Sequence, residues 1–401
     1  GGILMSGIFF IAYIVVWDKY RFFDMGPARP LSFENIPWVV WITCFIAKDF
    51  AYYWAHRMSH EMNWGWATHI AHHQSEEYNL SVALRQGVFQ PVFFSWFSLP
   101  LALLGFPPAV FGTCAALNTI YQFWIHTRLV KRLGPLEWIM NTPSHHRVHH
   151  GREPKYVDKN HAGVFIVWDR MFGTYQPEEE EPEYGIVTPL KSWNPVWAQI
   201  HYGVKLAKTA WLAPKWTDKL RLPFEAPAWV PEGMEVPDDF VPETRREGYS
   251  KFNATPPKGM SAYVLLHFVV VFFITLGYLK AAGEMRIAGE GLEPFMDPGN
   301  WMILLRKFGG AVFLFMALVN LGALSERQWW VPWSEIGRLG TMVAIVLTVG
   351  PGFFGWANLT GWPVVACMAA LVVVSVLWLM ARWREFGASE EPGDTGMVVA
   401  A

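Results

Sequence analysis

Charge is scarce in this chain. Only 16% of its 401 residues are Asp, Glu, Lys or Arg, and 52% are hydrophobic; an average soluble domain carries roughly a quarter charged residues. The formal net charge is −2, so no basic field invites nucleic acid and no such partner is expected. Cysteine is scarcer still. Cys44, Cys114 and Cys367 all lie in apolar stretches, form no CxxC pair or disulfide framework, and read as inert buried thiols. A nucleotide-binding glycine fingerprint, a CxxCH haem attachment and ferredoxin-type cysteines are missing too. Any reducing equivalents must then come from a free cofactor or a separate electron donor. There is no internal repeat and no evident cleavable signal peptide. The sequence opens at Gly1-Gly2-Ile3 without an initiator Met, and residues before it are expected to be missing.

What the chain has in quantity is apolar runs and tryptophan. The 23 tryptophans suit a membrane–water interface. Ile3–Val16 reads as the end of a spanning helix, and Pro37–Trp54 as a second span running into His56. Val88–Ile125 reads as two helices joined at Gly105-Phe106-Pro107-Pro108, a tight hairpin. Ala262–Leu279, Phe308–Leu324, Thr341–Trp356 and Trp362–Met380 are four more, each near the ~20 residues a crossing needs. The fold expected is all-α: a polytopic integral membrane protein with a histidine-box metal site under a cytoplasmic helical cap. Its regions are residues 1–175 (catalytic core), 176–260 (cap and linker) and 261–401 (C-terminal spans). Leu222–Pro227 and Pro231-Glu232-Gly233 read as extended linker, and Glu178–Glu181 as a solvated acidic loop. Lysine and arginine concentrate in Thr127–Met260 and Ala381–Arg384. The preference of positive residues for the cytoplasm then puts every histidine cluster on the cytoplasmic face.

Ten of the 13 histidines fall into a few places near helix ends. The boxes are His56-Arg57-Met58-Ser59-His60, His69-Ile70-Ala71-His72-His73 and His145-His146-Arg147-Val148-His149-His150. His126 ends the hairpin. Side chains three or four residues apart share a helix face. His56 with His60 can aim at one metal; His69 with His72 and His73 can do likewise from a second helix, and His146 with His149 and His150 from a third. So many imidazoles suit two ions rather than one. Imidazole binds zinc, copper, iron and nickel alike. A cluster of neutral nitrogens beside hydrocarbon suits dioxygen activation against an unactivated lipid C–H bond, which zinc, lacking redox chemistry, cannot perform. Gln122 could lend a weaker oxygen ligand or hold a water. Asp49, two turns before His56, is expected to orient a ligand ring. Glu61 is expected to brace the site or carry protons, and Asp169 to brace the third box. His161 is open between ligand and structural residue. His201 and His267 read as interfacial and packing side chains.

The boxes resemble those of the fatty acid hydroxylase and sterol desaturase superfamily of membrane di-iron oxygenases. The flanking segments Tyr78-Asn79-Leu80-Ser81, Ala83-Leu84-Arg85-Gln86, Asn141–Gly151 and Trp168–Thr174 favour its alkylglycerol monooxygenase branch. The likeness is dense from Asp49 to Tyr175 and thinner beyond; His161 stands where an aromatic residue is expected. The resemblance implies two iron ions, dioxygen as co-substrate and tetrahydrobiopterin as electron donor. It further implies hydroxylation of the ether-bearing carbon of an alkylglycerol, whose hemiacetal falls apart to a fatty aldehyde. Other lipids (a sterol, fatty acyl chain or carotenoid) are the alternative substrates, and a non-catalytic metal-binding subunit is the remote one.

Overall fold

The computed structural model describes residues 2–27, 36–234, 251–252, 259–284, 298–348 and 362–386. Among them there is no β-strand, only the isolated bridges Met140↔Phe165 and Gly151↔Tyr184. The chain divides into two compact units, residues 1–191 with 197–252, and residues 192–196 with 253–401. Residues 176–191 and 197–252 thus belong to the unit that carries the histidine boxes.

In the first unit, α1 (Gly2–Tyr20) packs on α4 (Gln90–Leu103) and α5 (Pro108–Trp124), and α2 (Trp38–Glu61) packs on α3 (Asn63–His73), α4 and α5. The hairpin lies where the prolines put it: Pro107 and Pro108 cannot continue α4 but suit the start of α5. Its turn is tied to α1 by Tyr13 Oη donating to Phe106 O at 2.9 Å and Trp17 Nε1 to Gly105 O at 3.0 Å. The core between them is Tyr13, Trp41, Leu101, Phe106, Val110, Phe111 and the buried Cys44 and Cys114. Cys367, in contrast to expectation, is exposed.

Helix α2 runs without a break through His56 and His60, ends at the extended residue Met62, and α3 starts at once. The two helices approach so closely that a Cβ at Gly65 would lie 2.6 Å from Ser59 Cα. Only glycine fits there, and this brings the two histidine-bearing turns together. Asn63 fixes the corner: its Nδ2 donates to Leu222 O at 2.9 Å and Ala226 O at 3.2 Å, and Tyr202 Oη donates to its Oδ1 at 2.6 Å. The proline-rich stretch read as free linker is therefore partly a docked 3-10 turn, Leu222–Phe224. Short helices α6 (Pro143–His149) and α7 (Val167–Phe172) follow α5, then α8 (Pro195–Leu212), which begins at the boundary between the units, and α9 (Trp216–Arg221). His201 on α8 is half-buried, its Nδ1 3.2 Å from Trp197 O.

The second unit comprises α10 (Met260–Glu284), α11 (Pro298–Ser325), α12 (Val331–Thr348) and α13 (Trp362–Arg382). Part of the expected span Thr341–Trp356 lies outside the described residues. Met260–Lys280 and Val365–Glu385 are long and apolar enough to cross a membrane, with only 22% and 11% of their apolar windows buried. Leu265, Phe268, Phe272, Phe273 and Leu276 face outward, as lipid-facing side chains would and as the core helix of a soluble domain would not.

Inside this apolar bundle lies a polar network. Arg338 pairs with Glu335 (Nε–Oε2 2.8 Å), Tyr263 Oη and Asn320 Nδ2 donate to the same carboxylate at 2.9 and 3.0 Å, and Arg338 Nη2 reaches His267 Nδ1 at 3.0 Å. His267 Nε2 then meets Ser375 Oγ at 2.9 Å. His267 is thus a junction joining α10, α12 and α13, where the sequence suggested only packing; its partners are too remote in the chain for spacing to reveal. Removing one member of a buried ion pair strands the other charge. Glu335→Ala is expected to destabilise the protein by about 3–5 kcal/mol, while the double change Glu335→Leu/Arg338→Met restores most of the loss. Thermal unfolding of detergent-solubilised protein measures both; a double variant as weak as the single one would refute the pairing account.

Candidate metal centre

The histidine boxes converge. Nitrogens of His56, His60, His69, His73 and His149 lie within 4.8 Å of one another, and so do those of His72, His126, His146 and His150. All nine rings are buried. The allocation differs from one metal per box. His56 and His60 serve the first cluster together, but each HxxHH box feeds both. In the second box His69 and His73 turn to the first cluster and His72 to the second; in the third, His146 and His150 turn to the second and His149 to the first. The cause is helical geometry: residues i and i+4 are nearly eclipsed, whereas neighbours differ by roughly 100°. The same rotation carries His145 away. It belongs to neither cluster, and its ring stacks edge-on to Tyr175 at 5.5 Å.

Four of the outward nitrogens are tied to main-chain acceptors. His56 Nδ1 lies 2.7 Å from His161 O, His149 Nδ1 2.9 Å from Lys159 O, His72 Nδ1 3.1 Å from Arg85 O, and His126 Nδ1 2.7 Å from Gln122 O. A carbonyl oxygen only accepts, so each of these δ nitrogens carries the proton and each ε nitrogen presents a lone pair. Those lone pairs face each other: His126 Nε2 is 3.3 Å from His72 Nε2 and 2.9 Å from His146 Nε2, and His56 Nε2 is 3.0 Å from His69 Nε2. The ε nitrogens of His60, His149 and His150 have no hydrogen-bond partner. Burial, with neighbouring rings adding to it, holds His72, His73, His146, His149 and His150 well below the ordinary histidine range. Burial pushes His69 down to about 3 and His126 to about 4. The rings are therefore uncharged at neutral pH, and unprotonated lone pairs pressed together repel unless cations lie between them. This donor set fits two metal ions.

One strap, residues 158–165, serves the first cluster. It supplies Asp158 to His60 Nδ1 at 3.3 Å, Lys159 O to His149 and His161 O to His56. Asp158 and Asn160 hold positive φ of 56° and 55°, a conformation these residue types tolerate best after glycine. Two buried carboxylates fasten the strap. Asp49 accepts Val164 N at 2.8 Å, Phe165 N at 3.0 Å, Trp168 Nε1 at 2.9 Å and Asn118 Nδ2 at 2.7 Å. Asp169 accepts His161 N at 2.7 Å, Ala162 N at 2.9 Å and Thr174 Oγ1 at 2.7 Å; burial raises its pKa to about 6. A Cβ at Gly163 would come within 2.7 Å of Asp49 Oδ1, so the approach needs glycine.

These contacts correct several expectations. Asp49 touches no ligand ring and acts through the strap. Asp169 braces the first cluster rather than the third box. Glu61 is ion-paired to Arg57 at 2.8 Å and half-exposed, away from the ring nitrogens. Gln122 gives its main-chain oxygen to His126, while its side-chain amide donates to Asn118 Oδ1 at 2.7 Å. His161 is buried beside the first cluster, 5.1 Å between ring centroids from His60, with neither ring nitrogen bonded. Glu178 is no solvated loop residue: it grips the buried Arg147 at 2.6 and 2.7 Å and Ser144 Oγ at 2.8 Å, clamping α6. Arg147 lies in the third box itself, yet nothing in the spacing singled it out from its histidines.

Two outcomes are expected. Asp49→Ala frees the strap and should lower metal affinity or activity by roughly 10–100-fold, with wild-type metal content and turnover as the contrary result. For metal-free protein, ligand histidines titrate near 3–4 when folded (His69, His126) and near 6.5 when unfolded. Between those values the unfolded chain binds more protons, so stability falls as pH drops below about 6.5. Melting temperatures of stripped protein across pH 7 to 4 test the sign.

The fatty acid hydroxylase family model matches residues 41–174, the segment that holds both clusters and the strap. No solved structure matches this chain. Among curated proteins, the alkylglycerol monooxygenase of Xenopus tropicalis is 41% identical over 329 residues, covering 81% of this chain and 67% of the relative. That of Homo sapiens is 45% identical over 324 residues, 79% of this chain and 65% of the relative. That of Danio rerio is 43% identical over 272 residues, 67% of this chain and 58% of the relative. The matched stretch thus spans about two thirds or less of each relative's length. With identity of this order across most of its length, the chain belongs to the alkylglycerol monooxygenase family.

Proposed function

We propose that this protein is a membrane di-iron monooxygenase that hydroxylates the ether-bearing carbon of an alkylglycerol, with dioxygen as co-substrate and tetrahydrobiopterin as electron donor. The observation that carries the reading is a cavity of about 920 Å³. Its lining includes His69, His72 and His126, and so borders both clusters; Phe94 lies beside His69, 5.8 Å between ring centroids, and Phe9, Phe10, Leu99 and Phe111 supply apolar walls. An apolar channel ending on two clusters of neutral imidazoles suits a lipid whose chain lies among aromatics and whose reacting carbon reaches the metals.

His56, His60, His69, His73 and His149 would hold one iron, and His72, His126, His146 and His150 the other. Two bound irons would supply the redox chemistry that places one oxygen atom of dioxygen on a C–H bond. The protein's own part is geometric. The strap and the carbonyl partners fix ring orientation, and burial keeps the rings neutral and excludes water. The ether oxygen stabilises electron deficiency on its neighbouring carbon, which makes that carbon easier to oxidise than the chain beyond it. The hydroxylated product is a hemiacetal, which collapses to a fatty aldehyde and a glycerol compound. A polytopic arrangement with the site on the cytoplasmic face is part of the proposal, supported by the basic residues of Thr127–Met260.

Purified, iron-loaded protein offered an alkylglycerol should release fatty aldehyde only when dioxygen and tetrahydrobiopterin are both present. Active enzyme should hold about two metals per chain, and His60→Ala or His150→Ala, one from each cluster, should abolish turnover. Folded, loaded enzyme that ignores alkylglycerols but oxidises a sterol or acyl lipid would overturn the substrate; one metal per fully active chain would overturn the di-iron site.

A further inference from the structure

We propose that Gln90 is a specificity-determining residue that reads the oxygen atom of the substrate, through an amide N–H group that the metal site itself forces into the cavity. The inference rests on the ether-lipid reading above and concerns how that lipid is told from a plain hydrocarbon chain.

His69 turns its Nε2 to the first cluster, so its proton sits on Nδ1. That N–H donates to Gln90 Oε1 at 3.0 Å. With the oxygen committed, the amide must present its N–H₂ the other way, and Gln90 lines the cavity. Among the described residues that N–H₂ makes no hydrogen bond. The two other glutamines of the cavity differ. Gln86 Nε2 donates to Ala83 O at 2.9 Å, and Gln122 Nε2 donates to Asn118 Oδ1 at 2.7 Å. Both amides spend a donor inside the protein, which the Gln90 amide does not.

Tyr52 and Lys48 also line the cavity, and the Tyr52 ring lies 5.2 Å between centroids from that of His56. The Lys48 ammonium sits 5.4 Å from the Tyr52 ring centroid. A tyrosine hydroxyl both donates and accepts, whereas the Gln90 amide, its oxygen committed, can only donate. Its bond to His69 holds that donor next to a ring of the first cluster, on the cavity wall. An ether oxygen only accepts hydrogen bonds and is one bond from the reacting carbon. A methylene in its place would leave a desolvated amide N–H₂ unpaired, and sites built to bond a polar atom reject analogues that lack it. One side chain thus fixes a ligand's tautomer and checks the substrate.

The test uses iron-loaded enzyme without dioxygen. An alkylglycerol and its analogue with the ether oxygen replaced by CH₂ are titrated against wild type and against Gln90→Glu. The carboxylate still accepts from His69, so metals per chain should be unchanged, but it has no N–H to offer. Wild type should favour the ether about tenfold, and Gln90→Glu should lose that preference; in a separate assay with dioxygen and tetrahydrobiopterin, its kcat/KM for the ether lipid should fall to match. Equal affinity of wild type for the two lipids would overturn the inference without recourse to any variant. So would an undiminished preference in fully loaded Gln90→Glu. Wild type that turns over no alkylglycerol would overturn the reading beneath it, whereas turnover without ether preference would overturn the role of Gln90 alone.

Discussion

Lone pairs of uncharged imidazoles are held about 3 Å apart in the middle of this protein, and much of the first unit follows from that constraint. Such nitrogens repel one another without a cation between them, so the polypeptide must hold them from behind. For four of the rings it does so with main-chain carbonyls that accept the outward N–H: His161 O, Lys159 O, Arg85 O and Gln122 O. Carbonyls at fixed positions need fixed backbone, which is why the buried carboxylates of Asp49 and Asp169 serve the strap rather than the rings. The same logic gives Arg147 and Glu178 their place, locking α6 where its histidines can reach both clusters.

Burial serves two ends at once. It keeps the rings neutral and therefore available as ligands, and it makes the site continuous with an apolar cavity rather than with water. The proposed lipid would approach both clusters past the aromatic rings of that cavity. The second unit meets a related problem differently. Its helices are apolar outside, and Glu335, Arg338, His267, Tyr263 and Asn320 satisfy one another inside. In both units a buried polar group is tolerated because its partner is already in place.

The amino-acid sequence by itself determined the element types and the ligand set. Apolar runs marked α1, α2, the hairpin and α10, because a helix that faces lipid must be apolar along its whole length. Prolines 107 and 108 marked the turn. The spacings HxxxH and HxxHH identified eight of the nine converging histidines, because ligation at helical spacing is a local property, and the end of the hairpin marked His126. What only the tertiary structure decided is which ring serves which cluster, why His145 is excluded, and what stands behind each ring. Asp49 bonds residues 115 and 116 positions away, and Gln90 meets His69 across 21. Such partners leave no local period. They are set by the close approach of α2 and α3 at Gly65 and by the path of the strap past Gly163, where the backbone itself must make room.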